Sequence, residues 1–365
     1  MRIAILADPL DNQSAGVHVY TKGMVEALIR NNTGHEIILV REKVDPDLKG
    51  VKQIAVPNIR LPIGFASLRL FFIIPFVLWW KKVDVVVEPA HFGPFNLLAR
   101  VKRVTIIHDL TPLLFPHLHR WHSQILQRIF LKGILKRTDV IVANSDHTVM
   151  DIRNMFPQAA EKVIRIYPGI RNDYGNAPGY DVLERYGIGK PYFLFVGTIE
   201  PRKDLNTLLN AFAIFHQMHP AKAMLVIAGG TGWKSESFMQ HLETHPAKEH
   251  IVLTGYVKTE ELPELYRNAV AAVYPSVYEG FGFPVAEALQ FGTPVITSRN
   301  SGITEAGGKE AQYFDTGDAR MLAEIMDQVS ENQTFKAKAI ANGPVHAAKF
   351  NWDEFAIRFL NKCSH

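Results

Sequence analysis

Short apolar runs alternate with longer amphipathic segments along this chain, and the whole pattern is played twice. Runs of that kind suit strands buried on both faces of a parallel sheet, and the segments between them are long enough to be crossover helices. In the first half the expected strands are Arg2 to Ala7, Glu36 to Val40, Gln53 to Val56, Val83 to Val87, Arg103 to Ile107, Val140 to Ala143 and Val163 to Ile166. Helices are expected at Val17 to Arg30, Trp121 to Lys136 and Ser145 to Met155. From Arg171 to Pro191 the periodicity lapses while Gly175, Pro178, Gly179, Gly187 and Gly189 collect, as in a linker. The alternation then restarts, with strands at Tyr192 to Val196, Ala223 to Ala228, Ile251 to Leu253, Val270 to Tyr274 and Pro294 to Thr297. Helices expected between them are Leu205 to Gln217, Glu260 to Asn268 and Pro284 to Phe291.

This pattern predicts an α/β protein of two Rossmann-like, doubly wound parallel-sheet domains facing a central cleft. The expected boundaries are 1–172 for the first domain, 173–191 for the linker, 192–345 for the second domain and 346–365 for a last segment. Trp352 to Leu360 in that segment is amphipathic and free to pack back on the first domain. Ligands of such sheets sit beyond the carboxyl ends of the strands, so the strand-to-helix turns are where chemistry is sought.

Composition narrows the functional classes. An apolar share of 47% with 21% charged residues is that of a globular enzyme and excludes fibrous or disordered chains. Forty Lys and Arg against 36 Asp and Glu leave a charge of +4, too mild a balance for a nucleic-acid binder. A lone cysteine, Cys363, permits neither an internal disulfide nor a cysteine zinc cage, and the cytoplasm is the expected compartment. One stretch stands apart: Leu61 to Trp80 carries a single charge, Arg69, but is interrupted by Pro62, Gly64 and Pro75. It reads as a packed helix, a membrane-surface contact at the inner face of a membrane, or a poor span.

Four turns carry candidate chemistry. In Glu279-Gly280-Phe281-Gly282-Phe283-Pro284, the proline suits the first helical position, so the glycines lie at a helix amino end that can cradle an anion or a polyol. Glu279, and Glu287 within the helix, are natural partners for the vicinal hydroxyls of a ribose or a sugar. The alternative is a surface turn followed by a solvated glutamate. Arg202 and Lys203, after the first strand of the second domain, suit a diphosphate whose leaving-group charge must be neutralised; otherwise they form an exposed basic turn capped by Asp204. In the first domain Gly16 would let a phosphate approach backbone amides, or is an ordinary tight turn. His108, with Asp109 as orienter, is placed to meet a sugar hydroxyl, or is a structural histidine among fifteen. Asp45-Pro46-Asp47 has the form of a metal-diphosphate motif but reads as a turn. Gly229-Gly230-Thr231-Gly232 lacks the spacing of a nucleotide fingerprint.

In order and spacing these elements resemble the retaining GT-B glycosyltransferases of the family-4 group: the Gly16 turn, His108-Asp109, Asn144-Ser145, Tyr167-Pro168-Gly169, Glu200 to Asp204, and Glu279 to Glu287. The resemblance implies a nucleotide-sugar donor and no metal or other cofactor. Lys203 would bind its diphosphate, Glu287 its ribose, and Glu279 with the amides of Gly280, Phe281 and Gly282 the transferred sugar. Gly16 would meet the diphosphate, and His108 the sugar at the reaction centre. Many members carry an arginine where this chain has Thr198, so Arg202 is the expected substitute. The likeness is strongest to bacterial mannosyltransferases of surface-polysaccharide assembly, which implies GDP-mannose as donor and a saccharide or lipid-linked saccharide as acceptor. UDP- or dTDP-sugars, a non-catalytic nucleotide-sugar-binding protein, a GT-B epimerase or phosphorylase, and a metal-dependent transferase using Asp45 and Asp47 are the alternatives.

Overall fold

The computed structural model describes residues 1–12, 16–57, 69–93, 97–98, 100–119, 124–125, 127–189 and 191–364. The chain divides into two compact units, Met1–Gly169 with Asn351–His365, and Ile170–Phe350. The expected linker 173–191 thus lies inside the second unit, where it includes the short helix Val182–Arg185.

Among the described residues the first unit is built on a seven-stranded, wholly parallel sheet in the order β3-β2-β1-β4-β5-β6-β7. Its strands are β1 (Arg2–Leu6), β2 (Glu36–Arg41), β3 (Lys52–Ala55), β4 (Val85–Glu88), β5 (Lys102–Ile107), β6 (Val140–Ala143) and β7 (Val163–Arg165). The central strands are buried nearly end to end, as both covered faces require. Helix Gly16–Arg30 returns the chain from β1 to β2 and buries Tyr20, Met24, Val25 and Leu28. Against it lies the last helix, Trp352–Ser364. Its Trp352 seats against two glycines: a Cβ at Gly23 or at Gly169 would stand 2.3 Å from that side chain. Only residues without a side chain leave room for the indole there.

Two helical expectations in this unit hold over their described residues, each with a wider first turn. Part of Trp121 to Lys136 lies outside the described residues, and the rest opens as a wide turn, Gln127–Leu131, before the α-helix Lys132–Arg137. Of Leu61 to Trp80, residues 61–68 lie outside the described set; Arg69–Ile73 is another wide turn and Ile74–Trp80 an α-helix. Arg69, the one charge of that stretch, is buried, with its guanidinium donating to both carboxylate oxygens of Asp8 at 2.6 and 2.8 Å. No helix among the described residues is long and apolar enough to cross a membrane.

The second unit repeats the design in a six-stranded parallel sheet, ordered β10-β9-β8-β11-β12-β13. Its strands are β8 (Tyr192–Val196), β9 (Met224–Ala228), β10 (Ile251–Gly255), β11 (Ala271–Tyr274), β12 (Val295–Ser298) and β13 (Gln312–Phe314). In each sheet the winding reverses beside the first strand of its unit, between β1 and β4 and between β8 and β11. That is the switch point at which loops diverge and leave a recess.

Candidate functional site

In the second unit, the turns after β8 and β11 meet. β8 ends at Val196, and Pro201–Lys203 then forms one tight helical turn, which Asp204 joins to helix Leu205–Met218 from a left-handed conformation (φ 47°). The glycine run after β9 supports this turn. Gly197 donates to the Ala228 carbonyl, Ile199 to that of Gly230, and Gly232 to that of Ile199. A Cβ at Gly229 would stand 2.0 Å from the Gly197 carbonyl oxygen, so that position admits only glycine. Gly229 to Gly232 therefore backs the Lys203 turn.

Within the turn, the Arg202 guanidinium donates to Glu200 Oε1 at 2.6 Å, to Glu279 Oε2 at 2.5 Å and to the Tyr278 carbonyl at 3.0 Å. Lys203 Nζ donates to Glu279 Oε1 at 2.6 Å, and the Ser276 hydroxyl to the same oxygen at 2.8 Å. The side chains are 11–15% exposed, so solvent screens them little. Burial alone would push the Glu279 carboxyl up, but the charges of Arg202 and Lys203 and the bonds from Lys203 and Ser276 outweigh it and hold the group at about 2. Glu279 is thus ionised throughout the neutral range. Its backbone amide donates to Ser301 Oγ, while Asn300 and Ser298 bind the Ser276 carbonyl, locking the β11 loop to the β12 loop.

Lys203 and Glu279 are expected to address different parts of a ligand. Here they are joined to each other. Two cations held by two carboxylates form a charge-balanced, preorganised group.

The loop 280–282 leads directly into helix Phe283–Gln290, with Gly282 at its cap (φ 105°), a backbone that disfavours other residues. Pro284 is its second residue, one place later than expected. Gly280, Phe281 and Gly282 are buried, and the Phe281 ring packs on Phe283 and Phe350, so this residue brings only its backbone to the turn. One turn into the helix, Glu287 is buried, accepting from the Tyr266 hydroxyl at 3.4 Å. Burial raises its carboxyl to about 7 against the opposing pull of Arg171 and of the Tyr266 bond.

In the first unit, Gly16 is the first residue of its helix and is exposed; residues 13–15 before it lie outside the described set. Among the described residues a Cβ there would meet nothing within 4 Å, so no described neighbour demands a glycine. His108 follows β5. Its Nε2 lies 2.7 Å from the Pro89 carbonyl, which can only accept, so Nε2 carries the proton. Nδ1 then accepts from the Asn144 carboxamide at 2.9 Å. Burial pushes the imidazole down to about 4, with His91 acting in the same direction and the Pro89 bond and Asp109 opposing. His108 is therefore neutral, with Asn144 and Pro89 orienting its ring, while Asp109 Oδ1 accepts from the amide and hydroxyl of Thr111. His91, in a left-handed conformation (φ 66°), accepts the His108 backbone amide at 2.8 Å, and Tyr20 stands edge-on 4.6 Å from the imidazole.

Two groups of possible metal ligands among the described residues have partners within the chain. Asp45 accepts the Asp47 amide within a turn and pairs with Arg41 at 3.7 Å. His219, Asp327 and Glu331 come within 4.8 Å of one another on the surface, where Lys222 already pairs with Glu331.

Comparison with known proteins decides the family. Residues 14–174 match the family described as Glycosyltransferase Family 4, and residues 184–346 that described as Glycosyl transferases group 1. The chain is a GT-B glycosyltransferase of the family-4 group. This glycosyltransferase is 29% identical to the O-antigen chain mannosyltransferase B of Escherichia coli over 74% of its own length and 73% of that protein's. It is 24% identical to the serotype-specific mannosyltransferase WbdA of the same species, over 69% of its own length but only 32% of that longer protein. The crystal structure of Anabaena HepE in complex with UDP and glucose shares the fold, with a TM-score of 0.76 at 17% identity over 100% of this chain and 99% of that one.

Proposed function

We propose that this glycosyltransferase moves mannose from GDP-mannose, with retention of anomeric configuration, onto a saccharide or lipid-linked saccharide in surface-polysaccharide assembly. The observation that carries the reading is the buried Arg202–Lys203–Glu279–Glu200 group at the carboxyl edge of the second sheet. Arg202 and Lys203 would neutralise the diphosphate, Glu287 would bind the ribose hydroxyls, and Glu279 with the 280–282 amides the sugar. Gly16 and His108 of the first unit would meet the diphosphate and the sugar, respectively. In the transfer, the bond from the anomeric carbon to phosphate oxygen breaks as the acceptor oxygen bonds to that carbon on the same face. The departing diphosphate takes the acceptor's proton. The cations stabilise charge that grows on the leaving group, where such donors act most strongly. No metal enters this scheme, so EDTA should leave turnover unchanged.

The choice of mannose is supported by the two mannosyltransferase relatives, and a nucleotide-sugar donor by HepE, crystallised with UDP and glucose. The test is a thermal-shift panel of GDP, UDP, ADP and dTDP with their sugars, on wild type and Lys203→Ala. A ligand at about 100 times its dissociation constant stabilises by about 2.7 kcal/mol. GDP and GDP-mannose should give the largest shift, the variant should lose it, and its transfer barrier should rise by about 2.7 to 4 kcal/mol. A UDP- or dTDP-selective shift replaces the donor, whereas wild-type shifts and turnover in Lys203→Ala reject the site.

A further inference from the structure

Helix Ile74–Trp80 is apolar on two faces. Ile74 and Leu78 point inward to a core that includes Val83, Val86 and Val101. Phe72, Phe76, Trp79 and Trp80 follow a helical spacing on the outside, where they are 64, 60, 52 and 66% exposed. Beside them runs a groove of about 300 Å³, lined by Phe72, Phe76, Trp79 and Leu98 together with Lys82 and Arg100. Lys81 Nζ lies 4.5 Å from the centre of the Trp80 ring. The segments 69–83 and 97–103 contain no acidic residue at all.

We propose that this face docks the first unit onto an anionic bilayer surface, with the aromatic rings in the headgroup layer and Lys81, Lys82 and Arg100 against lipid phosphates. The charge and the aromatic type select this occupant. Protein interfaces are depleted in lysine, whereas tryptophan flanked by Lys and Arg is the composition of a membrane-water boundary. No described helix is long and apolar enough to span a membrane. The proposal stands independently of the donor sugar, since it concerns a surface remote in sequence from the Lys203 and Glu279 turns.

Flotation of the full chain with phosphatidylcholine vesicles, with and without phosphatidylglycerol, tests it. Wild type should float only with the anionic vesicles, with its tryptophan emission shifting to the blue, and should be released by salt. Lys81→Gln with Lys82→Gln should weaken binding roughly fivefold per cation removed. Phe76→Ser with Trp79→Ser should abolish it; both variants change outward side chains, and unaltered melting temperatures show that each folds. Wild type that stays with the soluble fraction, or variants that float as well as wild type, overturn the proposal. So does a wild-type dimer in gel filtration that the serine variant splits, because the face is then a protein interface.

Discussion

The two sheets share one winding order, yet their carboxyl edges are furnished in opposite ways. At the edge of the second sheet, two cations and two carboxylates are locked together, and the central carboxylate is held at about 2. At the edge of the first, an imidazole held at about 4 is oriented by a carbonyl and a carboxamide, without an ion pair on its ring nitrogens. One edge concentrates paired charge, and the other holds a neutral ring by neutral partners. The fold decides where a site lies, while the loops decide its polarity, and the two polarities should fail differently when a partner is removed.

The largest effect is expected at the ionic edge. Glu279→Ala leaves Arg202 and Lys203 without their shared carboxylate in a poorly solvated place. Breaking a buried pair from one side typically costs about 3 to 5 kcal/mol. With 11–15% exposure the lower end applies, about 3 kcal/mol, read from urea unfolding of the full chain. Glu279→Gln should lose nearly as much, because the missing quantity is charge rather than shape. A loss below about 1 kcal/mol in both variants would put the group in the class of screened surface pairs and erase the contrast between the edges.

The same contrast explains what was legible in the sequence. Strands such as Tyr192–Val196 and Val140–Ala143 could be read because a doubly buried strand has to be continuously apolar. The motif residues could be placed because a parallel sheet fixes which turns lie at its carboxyl edge. Strand Gln312–Phe314 escaped notice, being three residues long at the sheet edge, and so did helix Gln333–Ala347, whose pattern shows hardly any apolar face. Partners that depend on distant loops were also hidden. The bonds from the Glu279 amide to Ser301 and from Asn144 to His108 join residues whose roles appear only once the loops are folded together. A run of Ser298, Asn300 and Ser301 after a strand was the one available hint.

A second effect, no larger at its most, concerns pH. Glu287 is raised to about 7, while an unfolded glutamate titrates near 4.3. Between these values the folded chain keeps a proton that the unfolded chain has released. The favourable contribution is therefore complete below about pH 4.3 and drains away as pH rises through about 7, at up to about 1.4 kcal/mol per unit. Glu88 of the first unit, raised to about 7 by burial against its Thr105 bond and the charge of Arg103, behaves likewise. Glu287→Gln should thus remove one of two matching slopes: its stability relative to wild type climbs between pH 5 and 7.5, by up to about 3 kcal/mol. A flat difference across that range would mean that Glu287 is solvated.

The smallest effect belongs to the neutral edge. Asn144→Ala deletes the donor to His108 Nδ1 and leaves a buried acceptor unmatched, which costs about 1 to 3 kcal/mol. Because no ion pair holds the ring, the loss should be insensitive to salt. Asn144→Asp sharpens the point: a carboxylate beside Nδ1 favours the imidazolium, so His108 should titrate well above its present value of about 4. Nitrogen chemical shifts of the ring, followed against pH, report this directly. If His108 titrates in Asn144→Asp as it does in the wild type, the carboxamide does not govern the imidazole, and the first edge needs another account of its neutrality.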